Sequence, residues 1–410
     1  MPAPWWRPRP VLRRFVSDLI EGELARQRGV SNARPRPWPD DLVFDQDLGV
    51  DSLERMVLAT ALAESLHLHE SGIEDYLLVR RSLGDWVDVA DAGLARFSAR
   101  MTFRTSGSSG SPKPCVHRMD SLLQETDLLA AMFEGRRRVL YAVPSHHIYG
   151  FLFSVLLPQA LNLAPEALLD LRASTPGWLA QAARPGDLVI GHPDFWGAVA
   201  RTPLRLPDDV VGVTSTAPCP DYVSEAMENA GIARLVQVYG SSETAGIGAR
   251  QSSRDPYDLF AHWTFSATAA DGLIRLLPDG SALAVDCQDR LERIDNTTFL
   301  VGSRHDRAVQ VGGINVFPSR VADVLKRHPL VHEAAVRLMR ADEGTRLKAF
   351  VVPADGVGDT DAFLTQLRAW IDAQLTVAER PKALRVGSRL PVTRSGKQAD
   401  WDVSVAPEDL

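Results

Sequence analysis

The chain is short of cysteine. Its 410 residues hold three, Cys115, Cys219 and Cys287, too far apart for the paired spacing of a zinc site and too few for a disulfide scaffold. Such sparse thiols suit a reducing compartment, and a cytoplasmic protein is expected. Runs of 18 apolar residues are missing, so no membrane span is expected. The start, MPAPWWRPRP, lacks the apolar stretch of a signal peptide. A basic excess is missing as well. The 45 basic and 52 acidic residues give a formal net charge of -7, which speaks against nucleic acid as a partner. What remains is ordinary globular composition, 45% hydrophobic and 24% charged. The length suits about two to four domains at roughly 100–200 residues each.

Apolar spacing divides the chain. Residues 1–10, rich in Pro, Arg and Trp, are expected to be irregular. Leu12, Phe15, Val16, Leu19 and Ile20 then share one helical face. Leu53, Met56, Val57, Thr60 and Ala61 recur at the same spacing, and a third helix is expected from about Ser82 to Ala92. Residues 1–95 therefore read as a small helical domain. From Phe103 the texture changes. VLYAVPS, DLVIGHP, VVGVTST and RLVQVYGSS are β-rich runs ending in turn signals between helical stretches, the pattern of βαβ units and a parallel sheet. From about Gly272 strand follows strand. Beyond Asp306 a helix (Ser319 to Arg327), two strands, a helix (Asp361 to Gln374) and a strand near Ala383 form a compact α+β unit. The fold class is thus α/β and α+β multidomain, with boundaries at 1–95, 100–303 and 304–410.

Two segments carry chemistry on their face. Thr105-Ser-Gly-Ser-Ser-Gly-Ser-Pro-Lys113 combines glycines, hydroxyls and one ammonium after a strand. Glycines let backbone N–H groups approach phosphate oxygens. The plain alternative is a flexible surface linker. Pro112 stands where a Walker loop needs its second glycine, so a P-loop kinase or GTPase is disfavoured. Tyr239-Gly-Ser-Ser-Glu-Thr244 ends another strand, bringing an aromatic ring, hydroxyls and a carboxylate to the edge where α/β sheets hold ligands. Glu243 can hold Mg²⁺ there, or simply cap a tight turn.

Together these segments resemble the adenylate-forming superfamily of acyl- and aryl-CoA synthetases and adenylation domains. TSGSSGSPK and YGSSET are similar to its core signatures. Pro144-Ser-His-His-Ile-Tyr-Gly150 resembles its histidine motif, Ser303-Arg-His-Asp306 with Val311 to Pro318 its hinge region, and Pro391-Val-Thr-Arg-Ser-Gly-Lys397 its closing motif. The resemblance implies ATP and Mg²⁺. It implies that Thr105, Ser106, Gly107, Ser108, Ser109, Gly110 and Lys113 wrap the β- and γ-phosphates. Tyr239 would stack on adenine, Ser242 would contact the α-phosphate and Glu243 would bind the metal. Asp289 and Arg304 would reach the ribose, although Cys-Gln-Asp stands where the family has Thr-Gly-Asp. His147 would face the acid, the alternative being a hydrogen-bonded core histidine. Asp306 would be the hinge of a mobile C-terminal domain, and Lys397 would stabilise charge as the acyl-adenylate forms. Only about 100 residues precede the phosphate loop, fewer than the family normally has, and they look helical. The large α/β domain is therefore expected to be truncated.

Asp47-Leu-Gly-Val-Asp-Ser-Leu-Glu54 resembles the attachment signature of acyl carrier proteins. That implies 4'-phosphopantetheine on Ser52, added by a phosphopantetheinyl transferase. The same Asp51-Ser-Leu-Glu54 is also an ordinary capping box, and both readings stay open. With residues 1–95 resembling a carrier-like helical bundle, the expected activity is ATP-dependent activation of a carboxylic acid and its transfer to a phosphopantetheine thiol on an acyl carrier protein rather than on free CoA. The alternatives are an acyl- or aryl-CoA ligase whose helical domain is purely structural, and a non-catalytic carrier or scaffold. The rings of His146, His147, Tyr149 and Phe151 favour a small aromatic or short acyl acid.

Overall fold

The structure is a computed structural model. It describes residues 4–29, 34–106, 112–269, 272–305, 308–312, 314–340, 342–354, 356–391 and 399–403. The chain forms two compact units, residues 1–105 with 113–302, and residues 106–112 with 303–410.

The first helix of the first unit, α1, spans Arg9–Arg28. Pro10 is tolerated in its first turn, where an N–H has no helical partner anyway. Gly29 ends it at φ 69°, its N–H bonded to the Ala25 carbonyl. The expected face, Leu12, Phe15, Val16, Leu19 and Ile20, is buried. It packs on the helices Ser52–Leu66 and Leu83–Arg96, but these do not cover it. Trp5, in the stretch expected to be irregular, lies with its ring centroid 5.5 Å from Phe15 and 5.0 Å from Phe151. Phe15 itself meets Phe151 at 5.7 Å. One core therefore runs from Trp5 through Leu94 to Val139, Leu188, Val236 and Phe299. The helical residues 1–95 are a layer of the larger unit.

The helix Ser52–Leu66 departs from its sequence pattern. It buries Leu58, Ala61, Leu62 and Leu66, while Leu53 is 72% and Met56 55% exposed. The helix lies at the surface, covered on the side that packs on α1, Tyr76–Val79 and Leu83–Arg96. Its start is an observed capping box: the Asp51 side chain accepts from the Glu54 N–H, and the Glu54 side chain from the Asp51 N–H.

β1 (Arg100–Ser106) and β2 (Pro112–Arg118) pair on either side of the glycine-rich loop, whose residues 107–111 lie outside the described residues. The main sheet follows. β3 (Arg138–Tyr141), β4 (Leu168–Asp170), β5 (Asp187–Gly191), β6 (Val211–Thr214) and β7 (Arg234–Ser241) are parallel, in the spatial order β4-β3-β5-β6-β7. They contain the four runs read as parallel strands. Their fully buried Val and Ile residues reflect helices on the faces. β8 (Ala245–Arg250) and β9 (Tyr257–Leu259) continue the sheet antiparallel. β10 (Trp263–Phe265), β11 (Gly272–Leu276) and β12 (Ala282–Asp286) form a small antiparallel sheet. β13 (Asp289–Arg293) and β14 (Thr298–Arg304) close the edge of the main one.

The second unit has its own core, including Val321, Leu325, Ala349, Val351, Phe363 and Leu367. The helices Pro318–Lys326 and Thr360–Gln374 contribute to it, as do β17 (Val331–Leu338) and β18 (Leu347–Pro353). The hairpin β15 (Val309–Val311) and β16 (Ile314–Val316) precedes them, and β19 (Ala383–Val386) pairs parallel to β18. Lys348, fully buried, donates to Glu343 at 2.6 Å and to the Trp401 carbonyl at 2.6 Å, so its charge is paired.

Because α1 and the sheet share one core, Phe15→Ala should destabilise the whole first unit by about 3–5 kcal/mol. Urea unfolding followed by tryptophan fluorescence measures this. A separate early transition of residues 1–95 would contradict the shared core.

Candidate active site

Parallel neighbours end on the same edge of a sheet, so β3, β5, β6 and β7 deliver their following loops to one line. The Pro144–Gly150 segment follows β3, His192 follows β5, and the Ser242–Thr244 turn follows β7.

The turn after β7 is built from its own hydroxyls. Ser241 N–H donates to Thr244 Oγ1 at 3.0 Å, and the N–H groups of Glu243 and Thr244 donate to Ser241 Oγ at 3.2 Å each. A register shift between Tyr239 and Gly240 tightens the hairpin into β8. A side chain at Gly240 would meet the Ala245 carbonyl oxygen at 2.1 Å, so only glycine fits. The turn aims Glu243, half-buried, outward.

Two adjacent residues fix what the turn presents. Gln288 Nε2 donates to Glu243 Oε1 at 2.8 Å, and Tyr239 Oη donates to Asp289 Oδ2 at 2.7 Å. The Cys287-Gln288-Asp289 departure from the family pattern thus supplies the partner of Glu243. The Tyr239 ring is flanked by Tyr257 and Phe299, each 5.6 Å away. Tyr239, Glu243 and Asp289 are brought together as the sequence suggests. Glu243 offers carboxylate oxygens, the hard donors that Mg²⁺ takes alongside phosphate, so the residue fits that ion.

β2 lies against the same turn. His117 is buried, and its Nε2–H donates to the Ser242 carbonyl at 2.7 Å. Burial holds its pKa below the ordinary histidine value, so it is a neutral support. Cys115, two residues earlier on the same face, is pushed up to about 12 by burial and by Glu243, against the pull of Lys113. It is an inert thiol. Lys113 continues that face as an exposed residue at the end of the loop.

Behind the turn lies a pair that sequence reasoning missed. Arg275 is buried and donates to the carbonyls of Thr244 at 3.2 Å and Ser121 at 2.6 Å. It sits 3.8 Å from Glu125, whose Oε1 accepts the Gly246 N–H at 2.9 Å. Burial pushes the Glu125 carboxyl up to about 8, against Arg275 and that hydrogen bond. No spacing rule links residues 125, 246 and 275; the packing of the helix Met119–Met132 with β8 and β11 brings them together.

The histidine segment is wedged in place. A side chain at Gly150 would meet the Pro144 carbonyl oxygen at 1.9 Å, which explains the glycine. Tyr149 Oη donates to the Gly191 carbonyl at 2.9 Å. His147 is exposed, and its ring centroid lies 4.1 Å from that of half-buried His146. Tyr149 and Phe151, grouped with the histidines as an aromatic cluster, are instead core residues, 7% and 0% exposed. Nearby rings Trp5, Phe15 and Phe103 hold Phe151.

Gly107, Ser108, Ser109, Gly110, Asp306 and Lys397 lie outside the described residues, and so do the side chains of Thr105 and Ser106. Arg304 ends β14 in the second unit. Ser52 is exposed at the start of its helix. Among the described residues His67, His69 and Glu70 bring possible metal ligands within 4.8 Å of one another, but His67 Nε2 bonds Thr102 Oγ1 at 2.9 Å. No helix among the described residues is long and apolar enough to cross a membrane.

Residues 98–262 match the AMP-binding enzyme family, and residues 320–397 match the AMP-binding enzyme C-terminal domain. The chain belongs to the adenylate-forming superfamily. A 4-coumarate–CoA ligase of Cereibacter sphaeroides is 42% identical over 372 residues, covering 89% of this chain and 87% of that protein. One of Rhodobacter capsulatus is 38% identical over 402 residues, covering 96% and 100%. Within the superfamily the chain therefore falls among the AMP-forming acid–CoA ligases. An amide bond synthetase from Marinactinospora thermotolerans shares the fold at a TM-score of 0.61, with 17% identity over 95% of this chain and 92% of that one.

Raising the pH should test the buried acid. The folded protein holds the Glu125 proton between about 4.5 and 8, where the unfolded chain releases it. Stability should fall as pH rises across that window, by up to about 1.4 kcal/mol per pH unit. Glu125→Gln should flatten this slope in thermal melts. An unchanged slope would refute the raised carboxyl.

Proposed function

We propose that the protein activates an aromatic carboxylic acid of the 4-coumarate class as its acyl-adenylate and transfers the acyl group to the thiol of CoA. The observation that carries this reading is the extent of the likeness. The Rhodobacter capsulatus 4-coumarate–CoA ligase aligns over its entire length, so the likeness takes in helical residues ahead of the phosphate loop. The carrier-like Asp51–Glu54 segment is then accounted for by helix capping, because its acidic groups are used on backbone N–H groups. That favours CoA over an acyl carrier protein as acceptor, and an unmodified Ser52.

A substrate carboxylate oxygen attacks the α-phosphorus of ATP, the bond to pyrophosphate breaks, and pyrophosphate leaves. The CoA thiolate then attacks the carbonyl carbon, and AMP departs with the anhydride oxygen. Lys113 and the loop from Thr105 would bind the β- and γ-phosphates, with Ser242 at the α-phosphate. Tyr239 would lie against adenine. Asp289, to which the Tyr239 hydroxyl is already bonded, would accept from the ribose hydroxyls, and Arg304 would donate to ribose or phosphate. Glu243, steadied by Gln288, would hold Mg²⁺, which when bound neutralises phosphate charge. His147 would face the acid. Lys397 would offset charge at the α-phosphate during adenylation. Asp306 would be the hinge that presents Lys397 for that step and withdraws it for thiol attack.

The test is acid-dependent pyrophosphate exchange and CoA thioester formation across a panel of acids, with 4-coumarate expected to lead. Lys397→Ala should lower exchange by about 10²–10³-fold. Thioester formation from supplied acyl-adenylate should fall much less. Equal losses would refute the division of labour. Co-expression with a phosphopantetheinyl transferase should leave the intact mass unchanged; a Ser52-dependent gain of one prosthetic group would overturn the CoA-only reading.

A further inference from the structure

α1 carries two residues that no core requirement explains. Asp18 is a carboxylate 1% exposed, inside an apolar helix face. Its Oδ2 accepts both the Ser145 N–H at 2.8 Å and the Ser145 hydroxyl at 2.6 Å. Its Oδ1 pairs with Arg36 at 2.6 Å and Arg172 at 2.9 Å. Arg172 is also held by Asp170, and Arg36 by Glu21, so two guanidiniums are shared among three carboxylates. Burial alone would raise the Asp18 carboxyl, but Arg172, Arg36 and Ser145 hold it down at about 2. An ion cluster of this kind earns little net stability over a hydrophobic packing of the same volume. What it does fix is geometry: it anchors the residue immediately before His146 at two atoms.

One helical turn later comes Gly22. A side chain there would stand 2.5 Å from His146 Nε2, so the glycine is the space into which that ring fits. Glycine inside a helix costs about 1 kcal/mol relative to alanine. Here the absence of a side chain sets the position of a ring, and His146 in turn lies against His147 at 4.1 Å.

We propose that Asp18 and Gly22 of α1 are positioning residues for the His146–His147 pair, and that α1 thereby sets the enzyme's affinity for its carboxylic acid. This rests on the reading that His147 faces the acid. Asp18 locks the backbone and hydroxyl of Ser145, Gly22 seats the His146 ring, and the ring contact passes that placement to His147. Among the described residues Asp18 bonds Ser145, Arg36 and Arg172, and Gly22 faces His146; these partners lie outside the Tyr239–Glu243 turn.

The test is Gly22→Ala in the full chain, with Ser145→Ala beside it. Alanine favours the helix, so Gly22→Ala should fold, and a displaced His146 is its direct consequence. The KM for the acid should rise about tenfold, a single step of binding affinity. The KM for ATP should stay within about twofold, because nucleotide contacts are untouched. Ser145→Ala removes one of the two bonds to Asp18 and should move the acid KM in the same direction by less. A second readout needs no activity: ethoxycarbonylation of the His147 imidazole by diethyl pyrocarbonate, followed by peptide mass spectrometry, should change in rate by about threefold or more in Gly22→Ala. Equal rises in both KM values, or unchanged acid KM with unchanged His147 modification, would overturn the proposal. If the wild-type protein ligates no acid in the panel, the proposed activity fails, and the His147 modification rate alone decides whether Gly22 positions the pair.

Discussion

Burial of one face of α1 against the sheet is the constraint on which the first unit depends. Phe15 and Trp5 close on Phe151, and Phe151 closes on Phe103 beside the glycine-rich loop. Aromatic side chains bury large areas, so this contact weighs heavily in the core. It also has a geometric result. Phe151 lies four residues after His147, so docking α1 on Phe151 places Asp18 and Gly22 beside the histidine segment. A helix that completes the core and a helix that borders the site are here one element.

The polar groups around the site divide by their depth. His117, Glu125 and Arg275 are buried and spend their hydrogen bonds on the backbone of the Ser242–Gly246 turn. An unpaired polar group at that depth would cost more than a made bond returns, which keeps such groups tied to the turn. Glu243, Tyr239 and Asp289 are half-buried, with Tyr239 bonded to Asp289 and Glu243 to Gln288. A rigid, desolvated support beneath a partly wet rim is what charge stabilisation at a phosphate requires, since preoriented groups need not rearrange during reaction.

Much of this was legible in the residues. Fully buried parallel strands read as unbroken apolar runs, and the strands from Val139 to Gly240 were placed by that texture. The helical period of α1 named its buried face, because a 3.6-residue repeat maps directly onto one side of a helix. The Ser52–Leu66 helix shows the limit: the spacing picked out Leu53, Met56 and Val57, which are exposed, while Leu58, Leu62 and Leu66 are the covered residues. Tyr149 and Phe151 show the same limit, since a ring suits a core and a pocket equally well.

Family membership was legible in the residues alone, because motifs whose backbone must approach a phosphate are constrained locally. Tertiary structure alone decided that residues 1–95 share the core of the sheet, that Gln288 holds Glu243, and that Glu125 with Arg275 supports the turn. It alone brought Asp18 to Ser145 across 127 positions. Hydrogen bonds and close packing act over about 3–4 Å in space, and no one-dimensional spacing encodes which distant residues a sheet and a helix bring within that range.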